Sequence, residues 1–185
     1  MGKVAIFIDG AYLTKVQEIR FKKARIDFAK FSNLLANGMP ILRTYYYNCL
    51  PYKSQNPTVE ENLRFSKMQS FIDALSRNER FEARTGKLEF RGYDDRGKPI
   101  FQQKRVDVML ACDLALLSAK QRIDKAIVVT GDSDFLPAIE LSKNEGVEFE
   151  LVYSDIIGCC PHESLIRAAD SRRILSDEDI ANIKF

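Results

Sequence analysis

Two apolar, β-branched runs that stop on acidic glycine turns constrain this chain more than any other feature. Val4-Ala5-Ile6-Phe7-Ile8 ends at Asp9-Gly10, and Ile127-Val128-Val129-Thr130 ends at Gly131-Asp132-Ser133-Asp134. Runs of this kind read as buried strands feeding turns. After the second run come a helical stretch over 134–145, a helix stop at Lys143-Asn144-Glu145-Gly146, and another strand over 147–153. That β-α-β order demands a parallel pair with a right-handed crossover. In an open parallel sheet the strand ends converge on one edge, where ligands usually bind.

The intervening chain supplies the other layers. A helical stretch follows Asp9, broken near Phe21–Arg25, with Phe28, Phe31, Leu34 and Leu35 on one face before Asn37-Gly38 and Pro40 end it. Ile41 to Cys49, which includes Tyr45-Tyr46-Tyr47, reads as a second strand whose tyrosines pack in the core. Thr58 and Glu61 form a capping box opening a long helix with an apolar stripe of Leu63, Met68, Phe71, Ile72 and Leu75. Residues 81–91 alternate apolar and polar around Gly86-Lys87, as a strand with a turn or bulge, and 92–99 read as a charged loop. A helix over 105–121 turns Val106, Met109, Leu110, Leu114 and Leu117 inward, with Cys112 as a small core residue.

Length and charge narrow the class. At 185 residues, 45% of them hydrophobic, the chain is long enough for one well-buried domain and short for two. One three-layer α/β domain over 1–185 is the expectation, with a core of about 3–155 and a C-terminal extension, 156–185, packing on it. In that extension 164–170 reads as helical, Arg173-Ile174-Leu175 as a short edge strand, and Ser176 as the cap of a final helix. This part is expected to cover the sheet edge or pair with another copy as a homodimer. Lys+Arg total 28 against 26 Asp+Glu, so the net charge of +2 excludes neither nucleic acid nor an acidic partner. No apolar run reaches the roughly 18 residues of a membrane helix, and Met1-Gly2-Lys3-Val4 runs straight into a strand without a secretory signal. Cys49, Cys112, Cys159 and Cys160 form no C-x-x-C pair, as expected of reduced thiols in a cytoplasmic protein.

Asp9, Asp107, Asp132 and Asp134 stand where strands stop or helices begin. Singly, each is an ordinary turn or cap residue. Jointly they aim carboxylates at one crevice, where they repel one another unless a cation holds them. Ligation by carboxylate oxygens selects hard cations, Mg²⁺ or Mn²⁺, and suits phosphoryl chemistry. Thr130 and Ser133 are placed to support those carboxylates. Asp113, about 240° around the helix from Asp107, falls on another face and ranks as a supporting residue. Rival chemistries lack their residues: the chain has neither G-x-x-x-x-G-K-[ST] nor G-x-G-x-x-G, and its single histidine, His162, stands beside no nucleophile suited to a triad. Cys159-Cys160-Pro161-His162 has no second cluster to complete a zinc site.

Three ordered segments carry a family resemblance. Phe7-Ile8-Asp9-Gly10, the stretch Gln103-Lys104-Arg105-Val106-Asp107 with Asp113 further on, and Val129-Thr130-Gly131-Asp132-Ser133-Asp134-Phe135 resemble the NYN domain, including its LabA-like members, in the PIN-like nuclease superfamily. The resemblance implies a Rossmann-like sheet of order 3-2-1-4-5 and a metal-dependent ribonuclease site. Its acids would be Asp9, Asp107, Asp132 and Asp134, with Asp113 matching a frequent family acid. Two departures stand out: Tyr12 replaces the usual Asn of the first motif, and Arg105 replaces a common Gly. RNA suits the local charge too, with Arg84, Arg91, Lys104 and Arg105 as candidate phosphate contacts and Tyr93 as a candidate stacking residue. Tyr12 favours an alternative, a catalytically weak RNA- or protein-binding module of the same fold. A third reading is a nuclease or phosphohydrolase acting on DNA or a small phosphorylated compound.

Overall fold

In the computed structural model, which describes residues 2–185 and leaves Met1 outside, a seven-stranded sheet runs in the order β4-β3-β2-β1-β5-β6-β7. The strands are β1 (Val4–Asp9), β2 (Ile41–Leu50), β3 (Phe81–Tyr93), β4 (Pro99–Lys104), β5 (Lys125–Val129), β6 (Glu148–Tyr153) and β7 (Ser171–Ile174). All neighbours pair in parallel except β3 and β4. The observed order differs from the expected 3-2-1-4-5: its middle, β3-β2-β1-β5-β6, matches that order only when the inserted β4 is left out of the count, and antiparallel β4 and parallel β7 extend the two edges.

Alternation along β2 fixes the layers, because neighbouring side chains on a strand point to opposite faces. Tyr46 packs on Phe28 of α2 (Phe28–Ala36) and Phe71 of α3 (Val59–Ser76). Tyr47 instead reaches Asp113 on α4 (Val106–Ala119). α1 (Gly10–Ile19) lies on the Tyr46 face, and α5 (Leu136–Asn144) packs beside α4, where the Ser118 and Ser142 hydroxyls meet at 2.7 Å. Three α/β/α layers result. The central strand β1 is sealed on both faces, since Val4 through Ile8 are all fully buried. At roughly 1.5–3 kcal/mol for each large apolar side chain, these central strands are the main source of the sheet's stability.

Three local expectations are corrected. Gly86 lies inside a continuous β3, not in a turn, since its pairing with β2 is unbroken; a side chain there would come within 2.5 Å of the Lys104 carbonyl, and the irregularity falls later, between Phe90 and Gly92. The supposed loop over 92–99 is shorter, and its end is strand β4, exposed throughout and so without an inward face to betray it. Cys112 is exposed, since α4 is apolar nearly all round and its pattern does not say which face turns in. In α3 only Leu75 is fully buried, and Leu63 is half exposed.

Beyond Tyr153 the chain forms α6 (Glu163–Ala168), β7, and α7 (Asp177–Ile183). β7 pairs with β6, and α7 sits against α2 with Ile180 and Ile183 buried. Among the described residues no helix is long and apolar enough to cross a membrane.

Candidate functional site at the acidic sheet edge

Asp9 is the last residue of β1 and the N-cap of α1. Its Oδ1 accepts the Ala11 and Tyr12 backbone N–H groups at 3.1 and 3.0 Å, and its Oδ2 accepts the Thr130 hydroxyl at 3.1 Å. Thr130 in turn accepts the Asp132 N–H, tying the ends of β1 and β5 together. Asp132 caps the short 3-10 turn Ser133–Phe135 by accepting the Asp134 N–H at 2.9 Å. Asp107 enters from the first turn of α4. Four acids from strand ends and helix starts thus lie at one sheet edge, where Asp107 is near enough to Asp9, Asp132 and Asp134 to repel each of them.

Their electrostatics set them apart. Burial raises the Asp9 carboxyl above the ordinary range against its N–H and hydroxyl partners, and Asp107 adds to the rise. Asp107 itself is raised by partial burial, then by Asp132 and Asp134. Among the described residues none of these four carboxylates enters an ion pair, although acids elsewhere repeatedly do. No trio of acidic, histidine or cysteine side chains among those residues is arranged to grip one ion. Asp107 and Asp134 are exposed, and among the described residues their carboxylates accept no hydrogen bond, so both side chains are free to change rotamer. An all-oxygen donor set with surplus negative charge fits a hard divalent cation.

The supporting candidates divide. Thr130 joins the cluster, whereas Ser133 makes no side-chain bond to it. Asp113 accepts the Tyr47 hydroxyl at 2.9 Å and Arg84 Nε at 3.0 Å, so its charge is already satisfied. Arg84 is correspondingly occupied by Asp113 and Glu82. Lys104 and Arg91 share Glu89 at 3.3 Å each. Arg105 alone of the four candidate phosphate contacts is free of ion pairs among the described residues. It sits two residues from Asp107 with φ +78°, the left-handed region, which explains why glycine is favoured at that place.

Tyr12 is structural in a way its sequence position did not reveal. Its ring lies against Gly131, where a Cβ would come within 2.5 Å. Its hydroxyl donates to the Cys159 carbonyl and accepts the Ser154 N–H, both at 2.9 Å. Tyr12 therefore clamps the loop after β6 onto the turn that carries Asp132.

The sequence matches the NYN domain over residues 3–176. The chain belongs to the NYN domain family. NYN domains fall in the PIN-like nuclease superfamily, and domains of this type generally depend on a divalent metal. Among curated proteins, none matches the chain. In architecture this NYN domain is similar to a protein of unknown function, VPA0982, from Vibrio parahaemolyticus. The two are 17% identical, with a TM-score of 0.65 over 100% of this chain and 96% of that one. At that identity the likeness speaks for the fold alone.

Proposed function

We propose that this NYN domain is a ribonuclease dependent on Mg²⁺ or Mn²⁺, hydrolysing RNA phosphodiester bonds at the crevice of Asp9, Asp107, Asp132 and Asp134. One observation carries the reading: four carboxylates gather at one sheet edge, where none of them enters an ion pair among the described residues. When bound there, a divalent cation neutralises charge on phosphate oxygens and lowers the pKa of water. The protein's own contribution is placement. The α1 N–H groups and Thr130 fix Asp9, the 3-10 turn fixes Asp132, and Asp107 and Asp134 come from the starts of α4 and of that turn. Carboxylates held this way both retain the cation and accept a proton from water attacking in line with the leaving oxygen. Arg105, unpaired at the rim, is available to a substrate phosphate.

A second reading is an RNA- or protein-binding module of low activity. It draws on Tyr12, whose hydroxyl is spent on Ser154 and Cys159 and offers the crevice no polar group where the family usually carries Asn. One set of measurements separates the two. Asp9→Asn and Asp132→Asn should abolish Mn²⁺-dependent cleavage of single-stranded RNA while the circular dichroism of the fold persists. Equal cleavage by wild type and both variants sinks the ribonuclease reading. A panel of RNA, single-stranded DNA and nucleotides identifies the substrate class.

A further inference from the structure

β3 outruns its neighbour. Its pairing with β2 ends at Leu50 and Lys87, and from there to Tyr93 it pairs only with β4. Because β1, β2 and β3 run in parallel, this two-stranded arm projects from the same sheet edge as Asp9. Its base is the Lys87–Lys104 pair, and the chain passes directly from Lys104 through Arg105 into α4 and Asp107.

The arm carries an aromatic cluster open to solvent. Phe101 lies 5.2 Å from Tyr52 and 5.9 Å from Phe90, and Phe90 lies 5.1 Å from Tyr93, between ring centroids. Tyr93 is 68% exposed, and Phe101 and Phe90 are about 40% exposed. With Tyr52, Arg64 and Glu61, whose carboxylate is held by Ser54 and the Thr58 N–H, they line a groove of about 480 Å³. An isolated hairpin gains little from aromatics left in water, and exposed apolar patches of this kind mark interaction sites.

Charge identifies the occupant. From 87 to 105 the chain has six basic residues against Glu89, Asp94 and Asp95. Lys87, Arg96, Lys98 and Arg105 make no ion pair among the described residues. A second copy pairing along β4 would bring the same cations together, which opposes it. A polyanion with exposed aromatic faces satisfies both features.

We infer that the β3–β4 arm is a stacking platform for unpaired bases of single-stranded RNA, with Phe90, Tyr93 and Phe101 as the stacking residues, leading the strand into the acidic crevice. Phe101 stands three residues before Lys104, about 10 Å at roughly 3.3 Å per residue. The platform therefore begins within a short strand's reach of Asp107. This inference takes its polymer from the ribonuclease reading, but binding and cleavage can be measured separately.

The test uses the full chain and a labelled single-stranded RNA of roughly 12 nucleotides, with affinity read by fluorescence anisotropy in EDTA so that no cleavage occurs. Tyr93→Ala and Phe101→Ala should each weaken binding about ten-fold, as loss of one base–aromatic stack does, while Phe101→Trp retains it. Unchanged affinity in both alanine variants overturns the platform, as does equal weakening toward fully double-stranded RNA, whose bases are not free to stack. A shift in oligomeric state without loss of RNA affinity would assign the cluster to a second copy and also overturn it. If wild type binds and the alanine variants do not, yet nothing is cleaved, the ribonuclease reading fails and the platform stands. Equal loss for single-stranded DNA would broaden the polymer and overturn the restriction to RNA.

Discussion

Asp107 and Asp179 occupy the same local position, the first turn of a helix, and the protein treats them in opposite ways. Asp179 closes a capping box with Ser176 and receives Arg173 at 2.7 Å. Burial opposes its charge, but the bonds from Ser176 and Arg173 outweigh it and hold the carboxyl below the usual range. Among the described residues Asp107 has no such partner, and burial together with Asp132 and Asp134 pushes its carboxyl upward. The helix dipole favours both alike. The contrast therefore arises from the partners each acid finds: Asp179 is satisfied by Ser176 and Arg173, close by in the chain, whereas Asp107 meets only like charges brought near it by the fold.

The contrast is broken most severely by exchanging the two roles. We expect Asp107→Ala to eliminate metal-dependent cleavage and to leave the metal-free protein as stable as wild type or more so. Asp179→Ala should keep cleavage but cost about 1–2 kcal/mol in urea unfolding, the usual worth of a lost cap and charged hydrogen bond. If Asp107→Ala also destabilised the metal-free protein, the two acids would not differ in kind.

Titration sharpens the same contrast with smaller effects. Asp179 and Asp170 have folded pKa values below their unfolded ones, Asp170 because the bonds from Lys143 and the Phe149 N–H outweigh its slight burial. Their stabilisation is present above an unfolded pKa of about 3.9 and is lost as pH falls through the folded values. Asp9 and Asp107 are raised, so the native state retains protons longer and metal-free stability declines as pH rises above about 4. Melting temperatures in EDTA should thus fall on both sides of a mildly acidic maximum. Asp107→Asn should flatten the high-pH side alone.

The smallest effect belongs to Arg105, held at a positive φ beside the crevice. Arg105→Gly should raise stability by less than about 1 kcal/mol, relieved backbone strain being partly offset by a freer unfolded chain. RNA affinity should nonetheless drop if the guanidinium meets phosphate.

What the sequence made legible follows the same division between local and tertiary. β1, β5 and β6 were readable because apolar, β-branched runs need burial, and the Thr58–Glu61 box because its chemistry is complete within four residues. The acids could be placed at one edge because parallel strands share a direction. β4 was not readable, since an edge strand exposed throughout shows no alternation to separate it from a loop. Nor was the use of Asp113, which depends on Tyr47 and Arg84, distant in sequence and joined to it only by the folded sheet. Tyr12 was legible as an oddity but not as a clamp, because its partners Gly131, Ser154 and Cys159 lie more than a hundred residues away.

The position of β1 at the middle of the sheet bears on how the chain must be made. The Thr130 to Asp9 bond spans 121 residues, and β5 precedes that threonine directly. At translation speeds of about 5–20 residues per second, β1 waits roughly 6–24 s for its second neighbour. β2 can dock on one side of it in the meantime, leaving the other edge of a fully apolar strand bare. This chain should accordingly engage chaperones during synthesis, and its yield should improve when the ribosome is slowed after β5 has emerged rather than before.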